Sequence, residues 1–286
     1  MRSINYQLHR NVDLQCGKYH LALGKKTYIM GILNVTPDSF SDGGNYIDID
    51  KAVEHAKKMV AAGADIIDIG GESTRPGHTI ISETEEIKRL LPVIERLTNE
   101  INVPISVDTY KANVAEMALE RGAHLINDIW GLQKDQKLAQ VVAKFNVPVI
   151  IMHNQDGTDY YGDIIEAMCL FFQKSIKIAL NAGIDSDNLI LDPGIGFGKT
   201  TKQNLIVMSR LGELNDLGYP LLLGTSRKSL IGKTLDLPTT ERLEGTLATT
   251  TMGIIQGVDI VRVHDVLENY RVAKLTDMIV RGGFDG

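Results

Sequence analysis

The chain lacks the features that mark a membrane protein, a disulfide scaffold or a nucleic-acid binder. Its two cysteines, Cys16 and Cys169, form neither a metal-ligand spacing nor a disulfide framework and read as unpaired thiols. No apolar run approaches the roughly 18 residues that a membrane span needs. The segment from Met1 to Asp13 mixes polar and charged residues with no apolar stretch of signal-peptide length. A cytoplasmic protein with no membrane partner is expected. The net charge of -6 argues against a nucleic-acid partner, so any anion handled here must be met by locally placed cations.

Two nucleotide fingerprints are missing as well. Gly198-Lys199-Thr200 looks like the end of a phosphate-cradling loop, but the glycine needed five residues earlier is Pro193, which has no backbone N–H to donate. After Gly194 and Gly196, a dinucleotide-binding pattern wants a third glycine where Lys199 stands. No linker or composition break divides the chain.

What is present is a repeat. From Tyr28 onward a short apolar run, a polar residue at its end, a loop and a helical stretch recur eight times. The runs cover residues 28–34, 65–70, 104–108, 125–128, 148–153, 189–192, 220–224 and 259–264. Between them lies helical spacing, as in Ala52, Ala56, Met59 and Val60, or Val114, Met117, Ala118 and Arg121. Strands alternating with helices imply parallel βαβ units, and eight of them close a (β/α)8 TIM barrel of the α/β class. A doubly wound open sheet is the alternative, although it would not call for eight repeats. Residues 28–286 are assigned to the barrel. Residues 1–27 form an N-terminal extension in which Tyr19, Leu21 and Leu23 alternate as in a short hairpin closing one end.

Closure has a chemical consequence, because the C-terminal ends of all the strands then face one rim. Asn34, the 72–75 loop, Asp108, Asn127 with Asp128, Met152 with His153, Asp192, Lys228, and Arg262 with His264 converge there. Asp192 ends a run too apolar to be half-exposed, and an acid in that position is costly to bury unless it is hydrogen-bonded. Asp108, Asn127 and Asp192 suit a flat heterocycle carrying several N–H groups. As an alternative, Asp108 caps a helix beginning near Lys111. Arg262 and His264, two apart, point to one side and suit an anion; a salt bridge from Arg262 to Asp265 is the alternative. The 34–44 loop carries Phe40 among turn formers and reads as a lid or as a plain connector.

Met30 to Gly44, Gly70-Gly-Glu-Ser-Thr-Arg-Pro-Gly77, Asp192 to Gly198, Ser226-Arg-Lys228 and Arg262-Val-His264 together resemble the dihydropteroate synthases of folate biosynthesis, in the right order and over nearly the whole chain. The resemblance implies condensation of 6-hydroxymethyl-7,8-dihydropterin pyrophosphate with 4-aminobenzoate. It places Asp108, Asn127, Met152, Asp192 and Lys228 around the pterin, and Thr74, Arg75, Arg262 and His264 on the pyrophosphate. Asn34 would coordinate Mg2+. Phe40, Pro76, Phe197, Ser229 and Arg242 would shape the 4-aminobenzoate cleft, with Asp38 and Phe40 in a lid. A homodimer and competition by sulfonamides are also implied.

The chain departs from that pattern in two places. The 153–161 segment lacks the basic residue and Gly-Thr-Pro turn often found there, and Leu230 stands where an aromatic is common. Two rivals stay open at this level: a pterin-dependent methyltransferase domain, and a non-catalytic pterin-binding protein. The methyltransferase would not need Ser226-Arg-Lys228, the Phe40 lid or a pyrophosphate clamp, and against a silent binder stands the filling of every expected charged position.

Overall fold

A computed structural model describes residues 12–36, 48–72 and 81–282. Strands β1 (Val12–Cys16) and β2 (Tyr19–Leu23) pair antiparallel, with Gly17 at positive φ in the turn between them. The eight runs become parallel strands: β3 (Tyr28–Asn34), β4 (Ile66–Gly70), β5 (Ile105–Asp108), β6 (Leu125–Asp128), β7 (Val149–Met152), β8 (Leu189–Asp192), β9 (Leu222–Leu223) and β10 (Ile260–Val263). Their order is β8-β7-β6-β5-β4-β3-β10-β9, and a parallel bridge between Leu191 and Leu221 joins the two ends into a barrel.

Helices α1 (Ile49–Ala61), α2 (Glu83–Glu100), α3 (Ala112–Glu120), α4 (Leu138–Phe145) and α5 (Ile164–Ala182) cover the first five crossovers. Helices α6 (Thr201–Ser209), α7 (Ser229–Leu235), α8 (Leu243–Ile255) and α9 (Val266–Arg281) complete the ring. Local chemistry starts several of them. Asp48, Ser82 and Asp163 each accept a backbone N–H at an N-cap, and Thr200 with Gln203 forms a capping box.

Several strands are shorter than their apolar runs, for a covalent reason. Pro104, Pro148 and Pro220 have no N–H for the ladder, so the strands begin after them. Their carbonyls still accept from Ile67, Ile126 and Leu191 of the neighbouring strands. Asp65 likewise stays outside β4, its carboxylate taking Ile29 N at 2.9 Å.

Alternation along the strands makes two cores. Ile29, Ile67, Val107, Ile126, Ile151, Leu191 and Val261 face the helices. Met30, Ile66, Leu125, Ile150, Ile190, Leu222 and Ile260 face inward, and Val12, Leu14, Leu21 and Leu23 of the hairpin pack onto them. Tyr19 stacks edgewise on His124, just before β6, so the hairpin plugs the N-terminal end of the barrel. Leu14 and Leu23 are at most 1% exposed, and burying each stabilises the plug by about 2 kcal/mol. The lower barrel is thereby sealed and apolar, which leaves its buried polar side chains to gather toward the opposite rim.

Candidate active site

Register brings the polar strand ends together. Asn34, Gly70, Asp108 and Asn127 are successive partners across β3, β4, β5 and β6, and Met152 is the partner of Asp192 across β7 and β8. Paired residues share a face of the sheet, so these side chains look into the barrel mouth. From β10, Arg262 reaches across to the same place. Its Nε donates to Asp68 Oδ2 at 2.5 Å and its Nη2 to Asp108 Oδ2 at 2.7 Å. Asn127 Nδ2 donates to Asp68 Oδ2 at 3.1 Å, which ties four strands into one network.

That geometry answers two questions the sequence left open. Asp108 does not cap α3: Lys111 is the N-cap and makes no side-chain cap, while Asp135 accepts the Ala112 N–H at 2.9 Å. Asp265 is engaged by Arg227, so the carboxylates on Arg262 are Asp68 and Asp108. Asp68 was not anticipated. It stands inside the run Ile66-Ile-Asp-Ile-Gly70 and is wholly buried. Its inward position is signalled only by its parity with Gly70. Asp68 Oδ1, Ser106 Oγ and Asn127 Oδ1 are buried with no hydrogen-bond partner among the described residues. The Asn127 carbonyl is thus a buried acceptor that its described neighbours leave unsatisfied.

The electrostatics follow from burial. Desolvation pushes the Asp108 carboxyl up to about 7, against the pull of Arg262. Asp192 is raised for the same reason, opposed by Lys228 and by the Gly194 N–H that donates to it at 2.7 Å. Burial brings Lys228 down to about 8, with Asp192 opposing. Burial also works against the charge of Arg262, yet Asp68 and Asp108 hold its pKa above the ordinary arginine value.

After β8 the chain makes a tight turn through Gly198. Gly194 sits at φ +63°, and a Cβ there would fall 2.0 Å from His153 O, so only glycine fits. The turn presents Ile195 O, which accepts from Lys228 Nζ, and the Phe197 ring, whose centroid lies 4.6 Å from the same ammonium. A Cβ at Gly224 would lie 3.9 Å from both Lys228 Nζ and Arg262 Cβ, which places the Lys228 ammonium near the root of the Arg262 side chain, just past the end of β9.

The remaining expected residues fall in different places. His264 Nδ1 shares a 2.9 Å hydrogen bond with Ser226 Oγ, joining two of the quoted motifs. Ser229 is exposed at the first turn of α7. The Arg242 guanidinium donates to Leu237 O and Arg227 O and lies where a Cβ on Gly232 would be, so it braces α7 through the backbone. Asp38, Phe40, Thr74, Arg75 and Pro76 lie outside the described residues. In the divergent 153–161 segment, Gln155 closes on Asp159 O, and Tyr160 OH donates to Gly198 O at 2.8 Å.

The donor set also fits a hard cation carried in by a phosphate substrate. Among the described residues no three His, Cys, Asp or Glu converge as an all-protein cage would require. Asn34 is half-buried at the rim, and a Cβ on Gly70 would lie 3.8 Å from its Oδ1 and 3.9 Å from Asp108 Oδ2, so the missing side chain leaves clearance between them. One amide oxygen beside a carboxylate suits Mg2+, which keeps waters and takes substrate phosphates as ligands.

Comparison with known proteins agrees with this geometry. The model of the family described as pterin binding enzyme matches residues 30–264. A dihydropteroate synthase of Clostridium beijerinckii is 57% identical over 269 residues, covering 94% of this chain and 100% of that one. A solved dihydropteroate synthase of Clostridium difficile, in the presence of pteroic acid, superposes with a TM-score of 0.89 at 58% identity, covering 91% of this chain and 98% of that one. The Xanthomonas albilineans dihydropteroate synthase, solved with 4-aminobenzoic acid, gives a TM-score of 0.90 at 39% identity, covering 94% and 98%. The chain belongs to the pterin-binding enzyme family, among its dihydropteroate synthases.

Proposed function

We propose that the chain joins 6-hydroxymethyl-7,8-dihydropterin pyrophosphate to 4-aminobenzoate, releasing 7,8-dihydropteroate and pyrophosphate. Asp108, Asn127 and Asp192, from three strands, face one mouth beside Lys228 and Arg262, and that convergence carries the proposal. The two carboxylates accept from the pterin N–H groups, the open Asn127 carbonyl takes another, and Met152 supplies an apolar wall.

The reaction follows from where charge develops. As the C–O bond to the pterin methylene breaks, its electron pair leaves with pyrophosphate and positive charge grows on the methylene. The electron-rich dihydropterin, with Asp108 and Asp192 nearby, eases that cation, which favours a dissociative, SN1-like path. Arg262 Nη1, which makes no hydrogen bond among the described residues, and His264 meet the departing anion, together with Thr74 and Arg75. Asn34 would hold Mg2+, which together with the substrate phosphates would supply further charge neutralisation there. The 4-aminobenzoate nitrogen, a free base at neutral pH, forms the C–N bond and gives up a proton, so no catalytic triad is required. Phe40, Pro76, Phe197 and Ser229 are assigned to its cleft, which Arg242 shapes by bracing α7. Asp38 and Phe40 of the 34–44 loop are assigned the lid role, that of excluding water that would otherwise trap the cation. A homodimer in the cytoplasm belongs to the same proposal. No helix among the described residues is long and apolar enough to cross a membrane.

Calorimetric titration with the pterin pyrophosphate, with and without Mg2+, followed by 4-aminobenzoate, tests the assignment. Binding followed by release of pyrophosphate and dihydropteroate is expected. Binding without product would point to a silent pterin binder, and methyl transfer to a corrinoid acceptor to the methyltransferase alternative.

A further inference from the structure

In the sequence Lys199 figures only in two failed nucleotide fingerprints, completing the tail of one and standing where the other wants a glycine, yet it is 8% exposed and buried against neutral groups. Its Nζ lies 2.9 Å from His153 Nδ1, 3.0 Å from Gly194 O and 3.1 Å from Phe197 O. Three acceptors call for three N–H donors, which an ammonium has and a neutral amine lacks. His153 is in turn neutral and able to accept through Nδ1. It is 2% exposed, packs against Phe171 and Phe172, and burial drives its pKa down to about 3. Burial also brings Lys199 down to about 7. A cation placed at that cost among carbonyls holds something in position.

What it holds is the turn that builds the site. Gly194 N binds Asp192, Ile195 O binds Lys228, and the Phe197 ring lies beneath the Lys228 ammonium. Lys199 grips both ends of that span through the Gly194 and Phe197 carbonyls. Two further side chains hold the same turn away from the site: Asn204 Oδ1 accepts from Gly196 N at 2.7 Å, and Tyr160 donates to Gly198 O.

We propose that Lys199 is a positioning residue for the pterin site, its ammonium fixing the turn that sets Asp192 and Lys228 in place. This rests on the assignment of Asp192 and Lys228 to pterin recognition. The substrate never touches Lys199; its effect passes through Ile195, Phe197 and Gly194.

The test compares the full chain with Lys199→Met, Tyr160→Phe and Asp192→Asn, using 6-hydroxymethylpterin as the calorimetric probe together with steady-state rates and thermal midpoints. Lys199→Met is expected to weaken pterin binding about tenfold, raising KM for the pterin substrate more than it lowers kcat. Tyr160→Phe removes a hydrogen bond from the same turn and is expected to lower the midpoint while leaving pterin affinity unchanged. Wild-type affinity in Lys199→Met overturns the proposal, as does an equal loss in Tyr160→Phe, which would mean general loosening. If Lys199→Met does not fold, Lys199→Gln keeps donors for two carbonyls and is expected to give a smaller shift in the same direction; no shift overturns the proposal. Asp192→Asn separates the two levels. If it binds pterin normally, the pterin-site assignment itself fails. If it loses binding while Lys199→Met does not, only the role of Lys199 fails.

Discussion

Arg262 and Asp108 lie 154 residues apart in sequence and meet at 2.7 Å across the barrel mouth. The same guanidinium also holds the wholly buried Asp68. One arginine is therefore both the counter-charge of two buried carboxylates and a cation at the mouth, which couples stability to function at this residue.

Arg262→Ala leaves Asp68 and Asp108 buried without a counter-charge. A loss of about 3 to 5 kcal/mol in urea unfolding is expected, together with loss of turnover. Arg262→Lys keeps the charge but not the fork that spans two carboxylates, so it should fall between. Wild-type stability in Arg262→Ala would contradict the network.

Asp192→Asn preserves shape and replaces a charged acceptor with a neutral amide. Pterin affinity should drop roughly 100-fold, about 3 kcal/mol, because the ligand N–H groups lose their charged partner in a buried site. Calorimetry reads the loss directly.

The acidity of the site sets a pH window. Asp108 ionises near 7 and Lys228 loses its charge near 8. Affinity for the uncharged 6-hydroxymethylpterin should therefore rise as pH approaches about 7 and fall above about 8, with a proton released on binding below neutrality. Titrations in buffers of different ionisation enthalpy count that proton. Stability of the ligand-free protein moves the other way through Asp108. A carboxyl raised by folding stabilises the fold fully below its unfolded pKa near ~4, and that contribution is lost as pH climbs through its folded value of about 7.

If Asn34 holds Mg2+ as proposed, chelation should weaken binding of the pterin pyrophosphate while leaving 6-hydroxymethylpterin unaffected, since only the first ligand brings phosphate oxygens to the ion. Asn34→Ala should reproduce this split. Equal effects on both ligands would place the metal elsewhere.

Sulfonamides resemble 4-aminobenzoate in having an arylamine opposite an anionic group. Inhibition should be competitive with 4-aminobenzoate and not with the pterin substrate, as read from initial rates at varied concentrations of each. Indifference to sulfonamides would count against the assigned cleft.

Much of the site was legible because strand ends in a barrel share one rim. Asp108 and Asp192 close their apolar runs, and Asn127 and Met152 stand one residue before the end of theirs. All four therefore sit at the rim, where Asp108 pairs with Asn127 and Met152 with Asp192. Asp68 was illegible because a lone acid between isoleucines is averaged into the run that contains it. Lys199 was passed over because motif matching asks which residue is missing, whereas its role depends on a histidine 46 positions away. Arg242 was expected to shape the 4-aminobenzoate cleft; its guanidinium is taken up by backbone carbonyls that only the packing of α7 brings near, so its hold on the cleft runs through that helix.

The amino-acid sequence by itself determined the eight strand and helix units and which residues end each strand, because hydrophobic period and turn chemistry are local properties of the chain. Only the tertiary structure decided which partner each buried charge takes. Arg262 finds Asp68 and Asp108 rather than Asp265, and Lys199 finds His153, because register and barrel closure set distances that sequence separation does not encode.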